Sequence, residues 1–214
     1  MIIGVFGKPG SGKTTYLASI CVKARFKRWL QRTLPAWLAR FIKMGDIYST
    51  EPMSGTILID PYDIGTFCPP PYSIFLIHEA GCSFNNRSFK SIPKHCTDFF
   101  AQHRHYLCDI YYDSQTVDID KKLRNRTECF YVVTKSMLFR HNSVLTRVSY
   151  WIGVNSDSKQ LDECYSMPDG FFQNLLARLF FRRITLHRRF YYRFFNSHIQ
   201  SLNLPNPPPT VYTP

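Results

Sequence analysis

Short apolar runs that end at a glycine or a polar residue recur along the first 155 residues of the chain. They predict strands over residues 1–6, 46–50, 56–60, 73–77 and 109–112, and strands and helices go on alternating through 118–124, 129–133 and 144–154. Helices are predicted over residues 14–34, ending before Pro35, and over 93–105. Apolar runs that alternate with helices are typical of an α/β fold in which helices flank a mainly parallel central sheet.

The segment directly after the first predicted strand carries the strongest chemical signal. It is Gly7-Lys8-Pro9-Gly10-Ser11-Gly12-Lys13-Thr14. The glycines let the backbone turn its N–H groups inward around a β-phosphate, Lys13 adds positive charge for the β and γ oxygens, and Thr14 offers a hydroxyl to Mg²⁺. Because the loop follows a strand and begins a helix, we predict a P-loop NTPase fold and an ATP site over these residues and Thr15.

Two candidates compete for the acidic motif that an NTPase needs beside Mg²⁺ and the attacking water. Asp60 and Glu79 each follow an apolar run. We favour Glu79, since the small residues Ala80 and Gly81 leave room for a nucleotide. Asp60 precedes Pro61, which favours a carboxylate that starts a turn. The position where an aspartate usually supports Mg²⁺ holds His78 instead.

Charge is distributed unevenly along the 214 residues, whose formal net charge is +12. No Asp or Glu precedes Asp46 or follows Asp169, so both ends are basic and suited to nucleic acid or anionic lipid. Seven scattered cysteines with no Cys-x-x-Cys pair indicate reduced thiols and a cytoplasmic location. No apolar run is long enough to predict a membrane-spanning helix.

The C-terminal quarter predicts a different organisation from the P-loop domain of residues 1–155. Residues 156–170 are polar and predict a linker, 171–203 predict a basic amphipathic helix, and 204–214 form a Pro-rich tail. The predicted apolar face consists of Phe172, Leu175, Leu176, Leu179, Phe180, Ile184, Tyr191, Phe194 and Phe195. We expect this helix to bind an anionic membrane surface, with packing on the core or a grip on single-stranded DNA as the alternatives.

Several motifs in order resemble the zonula occludens toxin (Zot) family. They are the glycine loop, Asp60-Pro61-Tyr62-Asp63, the run from Phe75 to Ala80, Gln102-His103-Arg104-His105, and Ser114-Gln115. The likeness covers residues 1–155. This family includes the assembly ATPases of filamentous phages and is similar to the FtsK/HerA superfamily of DNA-pumping motors.

The resemblance implies a hexameric ATPase that is peripheral on the inner membrane of a bacterial host and drives extrusion of a single-stranded DNA phage. Phage coat or assembly proteins, and single-stranded DNA, are the implied partners. By matching position, Lys13 would bind phosphate, Thr14 and Glu79 would serve Mg²⁺, and Glu79 would be the catalytic carboxylate. Gln115 would sense the γ-phosphate, and Arg104 would act in a neighbouring subunit, with Arg87 as the reserve.

Two departures from the family pattern keep other functions open. His78 replaces the expected aspartate, and we find neither the transmembrane helix nor the periplasmic domain of the family's assembly members. The alternatives are a DNA packaging or transfer ATPase without an extrusion role, a small-molecule kinase that uses Asp60 with residues 121–126 as its lid, and an adhesion or toxin-like protein in which ATP is structural.

Overall fold

The computed structural model describes residues 1–84, 92–115, 119–136, 141–148 and 183–195. Within them the strands are β1 (Ile2–Phe6), β2 (Ile47–Ser49), β3 (Ile57–Leu58), β4 (Ile74–Ile77), β5 (Asp109–Ser114), β6 (Cys129–Lys135), β7 (Asn142–Val148) and β8 (Arg183–His187). The helices are α1 (Lys13–Thr33), α2 (Ala36–Ala39), α3 (Ala80–Ser83), α4 (Lys94–Gln102), α5 (Lys121–Arg124) and α6 (Arg188–Tyr191).

The eight strands form one sheet in the order β3-β2-β4-β5-β1-β6-β7-β8. Strands β1 to β6 pair in parallel, whereas β7 and β8 extend the sheet as antiparallel strands. The predicted α/β class and mainly parallel sheet are therefore confirmed. Since β1 lies between β5 and β6, the loop that follows it leaves the middle of the sheet.

Strand β1 is buried on both faces, and its alternate residues belong to two separate cores. Ile2 and Phe6 pack with Phe99 and Phe100 of α4. On the opposite face, Val5 lies in the core formed with the first half of α1. Helices on both faces explain why this strand is continuously apolar and does not alternate with polar residues.

Ion pairs join the amino ends of the strands, at the edge opposite to the glycine loop. The N-terminal ammonium lies 2.9 Å from an Asp109 carboxylate oxygen, and Arg104 Nη2 lies 3.1 Å from Glu128 Oε1. The Glu128 carboxylate has a lowered pKa; burial raises it, but the hydrogen bond from Arg104 and the nearby cations outweigh that effect. Arg104 is thus engaged at the amino edge of its own sheet.

The predicted helix over residues 171–203 is wrong where the structure describes it. Residues Arg183–His187 form β8, which pairs antiparallel with β7, and only Arg188–Tyr191 are α-helical. The sequence Arg-Ile-Thr-Leu-His alternates polar and apolar residues, so a strand places Ile184 and Leu186 together on the core. The described C-terminal segment ends at Phe195, which forms an antiparallel β-bridge with Met53.

The remaining C-terminal predictions lie outside the described residues: the linker over 156–170, the first part of the helix, and the tail over 204–214. Among the described residues, no helix combines the length and the apolar character that crossing a membrane requires.

The burial of Leu186 allows the assignment of residues 183–187 to strand β8 to be tested. Leu186 is 7% exposed in the core beneath β8, whereas its neighbour Thr185 faces solvent. We predict that Leu186→Ala lowers the free energy of unfolding by about 2–3 kcal/mol, because it leaves a cavity, while Thr185→Ala changes it by less than about 0.5 kcal/mol. Urea unfolding measures both values, and equal effects would contradict the pairing of β8.

Candidate nucleotide-binding site

The glycine loop leaves β1 and enters α1 within six residues, from Gly7 to Gly12. Gly10 and Gly12 have φ of 70° and 106°, in the left-handed region that glycine adopts at no steric cost. The N–H of Ser11 donates to the Lys8 carbonyl at 3.1 Å, which closes the turn. The backbone conformation is that of a loop whose N–H groups can surround an anion at a helix N-terminus.

Position 12 requires glycine for a second reason, which is the close approach of strand β7. A Cβ at this position would collide with the hydroxyl of Ser143 in β7. That hydroxyl donates a hydrogen bond to the carbonyl of Ser11 at 2.5 Å, so β7 packs directly against the loop. The loop is therefore held from the side by a strand more than a hundred residues away in sequence.

Hydrogen-bond donors line the loop. Lys13 is 5% exposed, and its ammonium donates to the Gly7 carbonyl at 3.0 Å. The buried Ser11 hydroxyl has no hydrogen-bond partner among the described residues. A buried donor without a partner is costly, and a phosphate oxygen is the kind of acceptor that would satisfy it. Both side chains fit the predicted phosphate site.

Glu79 and Gln115 meet where β4 and β5 end. The side-chain amide of Gln115 donates to Glu79 Oε1 at 3.0 Å. Parallel register explains this contact, since Ile77 of β4 pairs with Tyr112 of β5 and Ser114 of β5 pairs with Phe6 of β1. The residues that directly follow β4, β5 and β1 are thus His78, Gln115 and Gly7, respectively. The structure places the predicted catalytic pair at the edge that carries the phosphate loop.

The backbone of Glu79 is unusual for a residue with a side chain. Its φ of 45° and ψ of 50° lie in the left-handed region, at the junction between β4 and α3. Such a conformation costs free energy and persists only where surrounding contacts hold it. One of these contacts is a 2.7 Å hydrogen bond from the Glu79 N–H to the carboxylate of Asp113.

Asp113 is a site residue that the sequence analysis missed. It is 1% exposed at the end of β5, and its pKa is raised to about 7. Burial is the main cause and the nearby Glu79 carboxylate adds to it, whereas the hydrogen bond from Glu79 N–H and the Lys13 ammonium lower the pKa. The Lys13 ammonium of the glycine loop is thus near enough to this carboxylate to lower its pKa.

His78 does not replace the missing aspartate as a charged group. Its imidazole is buried, and Nδ1 lies 3.5 Å from Glu51 Oε2 without the geometry of a hydrogen bond. Burial lowers the pKa of His78 and, as the main cause, raises that of Glu51. The acidic group beside Glu79 comes instead from Asp113 on the adjacent strand.

A second cation reaches the loop from the C-terminal segment. Arg188 Nη1 donates to the Gly10 carbonyl at 3.0 Å, and its Cδ would lie 3.1 Å from a Cβ built on Gly12. Lys135, at the end of β6, has its ammonium 3.7 Å from a Cβ built on Gly10. No local motif marks either residue in the sequence, because the fold alone brings them to the loop.

Other predicted residues lie elsewhere. Arg104 is at the amino edge of the sheet with Glu128, so it cannot reach the loop of its own subunit. Arg87 lies outside the described residues. Asp60 accepts a hydrogen bond from the Tyr62 N–H at 2.7 Å and caps a short 3₁₀ turn, in agreement with the turn role. In the described ranges, no group of three or more His, Cys, Asp or Glu forms a metal cluster.

The fold has a counterpart among solved structures. No protein-family model and no curated protein sequence matches the chain. The N-terminal domain of zonular occludens toxin from Neisseria meningitidis matches with a TM-score of 0.55 and 15% identity, over 91% of this chain and 98% of that one. The genome packaging NTPase B204 from Sulfolobus turreted icosahedral virus 2, solved with ATP-gammaS, is more distant, with a TM-score of 0.40 and 12% identity over 67% and 90%. The chain therefore has the Zot-like P-loop fold.

The raised pKa of Asp113 generates a prediction for stability. Between its ordinary pKa of 3.8 and about 7, the folded chain holds a proton that the unfolded chain releases, so stability falls as pH rises through this range. Asp113→Asn keeps an oxygen for the Glu79 N–H but cannot ionise. The free energy of unfolding of Asp113→Asn, relative to that of wild type, should rise by on the order of 2 kcal/mol from pH 4 to pH 8. Urea unfolding without nucleotide or metal checks this, and a flat difference would contradict it.

Proposed function

We propose that this chain, whose fold is that of the zonular occludens toxin N-terminal domain, hydrolyses ATP and couples the turnover to DNA movement or virion assembly. One observation carries the proposal: the glycine loop with Lys13 and the Glu79–Gln115 pair occupy the same edge of the sheet. Phosphate binding and activation of water need groups at these two places.

The roles of the residues follow from their chemistry. Lys13 and the loop N–H groups neutralise the phosphate charge, and the Ser11 hydroxyl supplies a further donor. Glu79 orients the attacking water and accepts its proton. Gln115, which donates to Glu79 at 3.0 Å, holds the carboxylate in one orientation and offers its amide to the γ-phosphate side.

Mg²⁺ is the implied metal, and the residues present fit it. Hard oxygen donors are available from the Thr14 hydroxyl at the start of α1, from the Glu79 carboxylate and from the carboxylate of Asp113, which accepts a hydrogen bond from the Glu79 N–H at 2.7 Å. When bound, Mg²⁺ neutralises the negative charge that develops on the β and γ phosphate oxygens. With Asp113 in this place, His78 is not needed as a ligand.

Assembly into a ring belongs to the same proposal. The resemblance to the Zot family suggests a hexamer, and Arg104 is the candidate for a group that completes the site of a neighbouring subunit. The Arg104 side chain is 71% exposed although it pairs with Glu128, so it is accessible to a second copy. The amino edge of one subunit would then face the carboxyl edge of the next.

Extrusion of a single-stranded DNA virion at the host inner membrane, with coat or assembly proteins as partners, is the specific function proposed. A DNA packaging or transfer ATPase uses the same site and remains the second candidate. The kinase alternative is weaker, because Asp60 already caps a turn and the proposed lid is only the four-residue α5, whose Arg124 is buried.

Two substitutions separate binding from hydrolysis. Lys13→Ala should abolish both ATP binding and turnover, whereas Glu79→Gln should bind ATP within about threefold of wild type and lose at least about a hundredfold in turnover. Asp63→Asn, an exposed carboxylate change away from the loop, is the control and should leave both unchanged. Phosphate release and nucleotide titration measure the two properties.

Hydrolysis should also be tested with single-stranded DNA present, since a motor is expected to respond to it and a kinase is not. Unchanged turnover in Lys13→Ala would remove the site assignment. Transfer of phosphate to a small acceptor, with no release to water, would favour the kinase.

A further inference from the structure

We propose that Arg188 binds the γ-phosphate of the nucleotide held in its own subunit, and so links residues 183–195 to the state of the site. The inference rests on the proposed function, which supplies the nucleotide, and adds a residue that the family resemblance did not assign. It begins from the 3.0 Å hydrogen bond between Arg188 Nη1 and the carbonyl of Gly10.

The two antiparallel strands hold Arg188 in place. His187 pairs with Asn142 across β7 and β8, and the Arg188 N–H donates to the His141 carbonyl at 2.8 Å. The adjacent residue of β7, Ser143, bonds to the Ser11 carbonyl. Strands β7 and β8 therefore position both the glycine loop and the backbone of Arg188, whose guanidinium reaches that loop.

A phosphate oxygen is a better acceptor for this guanidinium than the carbonyl that it contacts. Hydrogen bonds between a guanidinium and a phosphate join opposite charges and can be bidentate, whereas the Gly10 carbonyl is neutral. Lys13 likewise donates to a loop carbonyl, that of Gly7.

The far end of the segment is tied to another part of the molecule. The N–H of Ser54 donates to the Phe194 carbonyl at 3.0 Å, and the Arg25 guanidinium of α1 lies 6.0 Å from the Phe194 ring centroid. Capture of phosphate by Arg188 would thus tighten a segment that runs from the loop to the turn between β2 and β3. Nucleotide should protect its backbone amides from exchange.

The test compares ATP with ADP in the full chain with Mg²⁺, because only ATP carries the γ-phosphate. Arg188→Ala should weaken the affinity for ATP about tenfold or more and that for ADP by less than threefold, and Arg188→Lys should restore part of the difference. Arg189→Ala removes an exposed arginine one residue further on and is the matched control, with both affinities unchanged. Calorimetry measures all four proteins.

Equal losses for ATP and ADP would overturn the proposal, since they indicate only a disturbed loop. Hydrogen exchange gives a second readout: a non-hydrolysable ATP analogue should protect residues 183–195 in wild type but not in Arg188→Ala. Wild-type protein that binds neither nucleotide would refute the proposed function itself, a result distinct from loss of ATP selectivity.

A second inference comes from the other basic end of the chain. The last buried residue of α1 is Ala24, so the rest of this helix and α2 extend away from the core. Four large rings here face solvent: Phe26, Trp29, Trp37 and Phe41 are 58%, 56%, 64% and 70% exposed. We call them, with the exposed cations Lys23, Lys27, Arg32, Arg40 and Lys43, the aromatic-basic face.

The charge of this face has one sign. No Asp or Glu occurs among residues 1–45. The first carboxylate along the sequence, Asp46, lies 3.2 Å from Arg28, which is not part of the face. Large exposed rings on a soluble domain mark an interaction surface, and their cationic neighbours select an anionic partner.

We infer that the aromatic-basic face binds an anionic lipid surface. Its residues lie on the second half of α1, on α2 and directly after α2, and its exposed rings can enter the headgroup layer while the cations meet lipid charge.

Flotation of the full chain with phosphatidylcholine–phosphatidylglycerol vesicles (1:1) tests this inference, with pure phosphatidylcholine vesicles alongside. Trp29→Ser with Trp37→Ser should reduce binding to the mixed vesicles at least tenfold. The control is Phe190→Ser with Tyr192→Ser, which removes two rings that are each 49% exposed in the C-terminal segment and should bind normally. Equal binding by both variants, or loss of oligonucleotide binding or self-association in place of vesicle binding, would overturn it.

Discussion

Parallel pairing of β4, β5 and β1 is the constraint on which the proposed chemistry depends, because it brings three separate chain segments to one edge of the sheet. Ile77 aligns with Tyr112, and Ser114 aligns with Phe6. The segments after these strands therefore bring Glu79, Gln115 and the phosphate loop to neighbouring positions. A shift of one residue in either pairing would also exchange the two faces of a strand, so that its side chains would enter the wrong one of the two cores.

The antiparallel strands β7 and β8 add further hydrogen bonds to the glycine loop at this edge of the sheet. Ser143 bonds to the Ser11 carbonyl and Arg188 bonds to the Gly10 carbonyl, so the phosphate loop contacts the end of the described chain as well as its beginning. From there residues 192–195 cross to the turn that contains Met53 and Ser54. Contacts thus continue from the glycine loop through β8 and residues 192–195 to the turn between β2 and β3.

Local pattern was enough to predict the glycine loop, the strands before it and before Glu79, and the end of α1 at Pro35, because each depends on neighbouring residues. The sequence does not mark Asp113 because the apolar run that predicts its strand ends at Tyr112, and only the pairing with β1 shows that β5 continues to Ser114. The spacing of apolar residues over 171–203 suggested a helix, although the period-two alternation around Ile184 and Leu186 was the signal for a strand. Ser143 and Arg188 depend on contacts across more than 130 residues, which no local pattern contains.

The most direct test of the account is a structure of the chain with Mg²⁺ and a non-hydrolysable ATP analogue. The account predicts the β-phosphate within the loop from Gly7 to Thr14, next to Lys13, and the γ-phosphate directed toward the Glu79–Gln115 pair. A nucleotide bound elsewhere, or a γ-phosphate that points away from Glu79 with no carboxylate in reach, would contradict it.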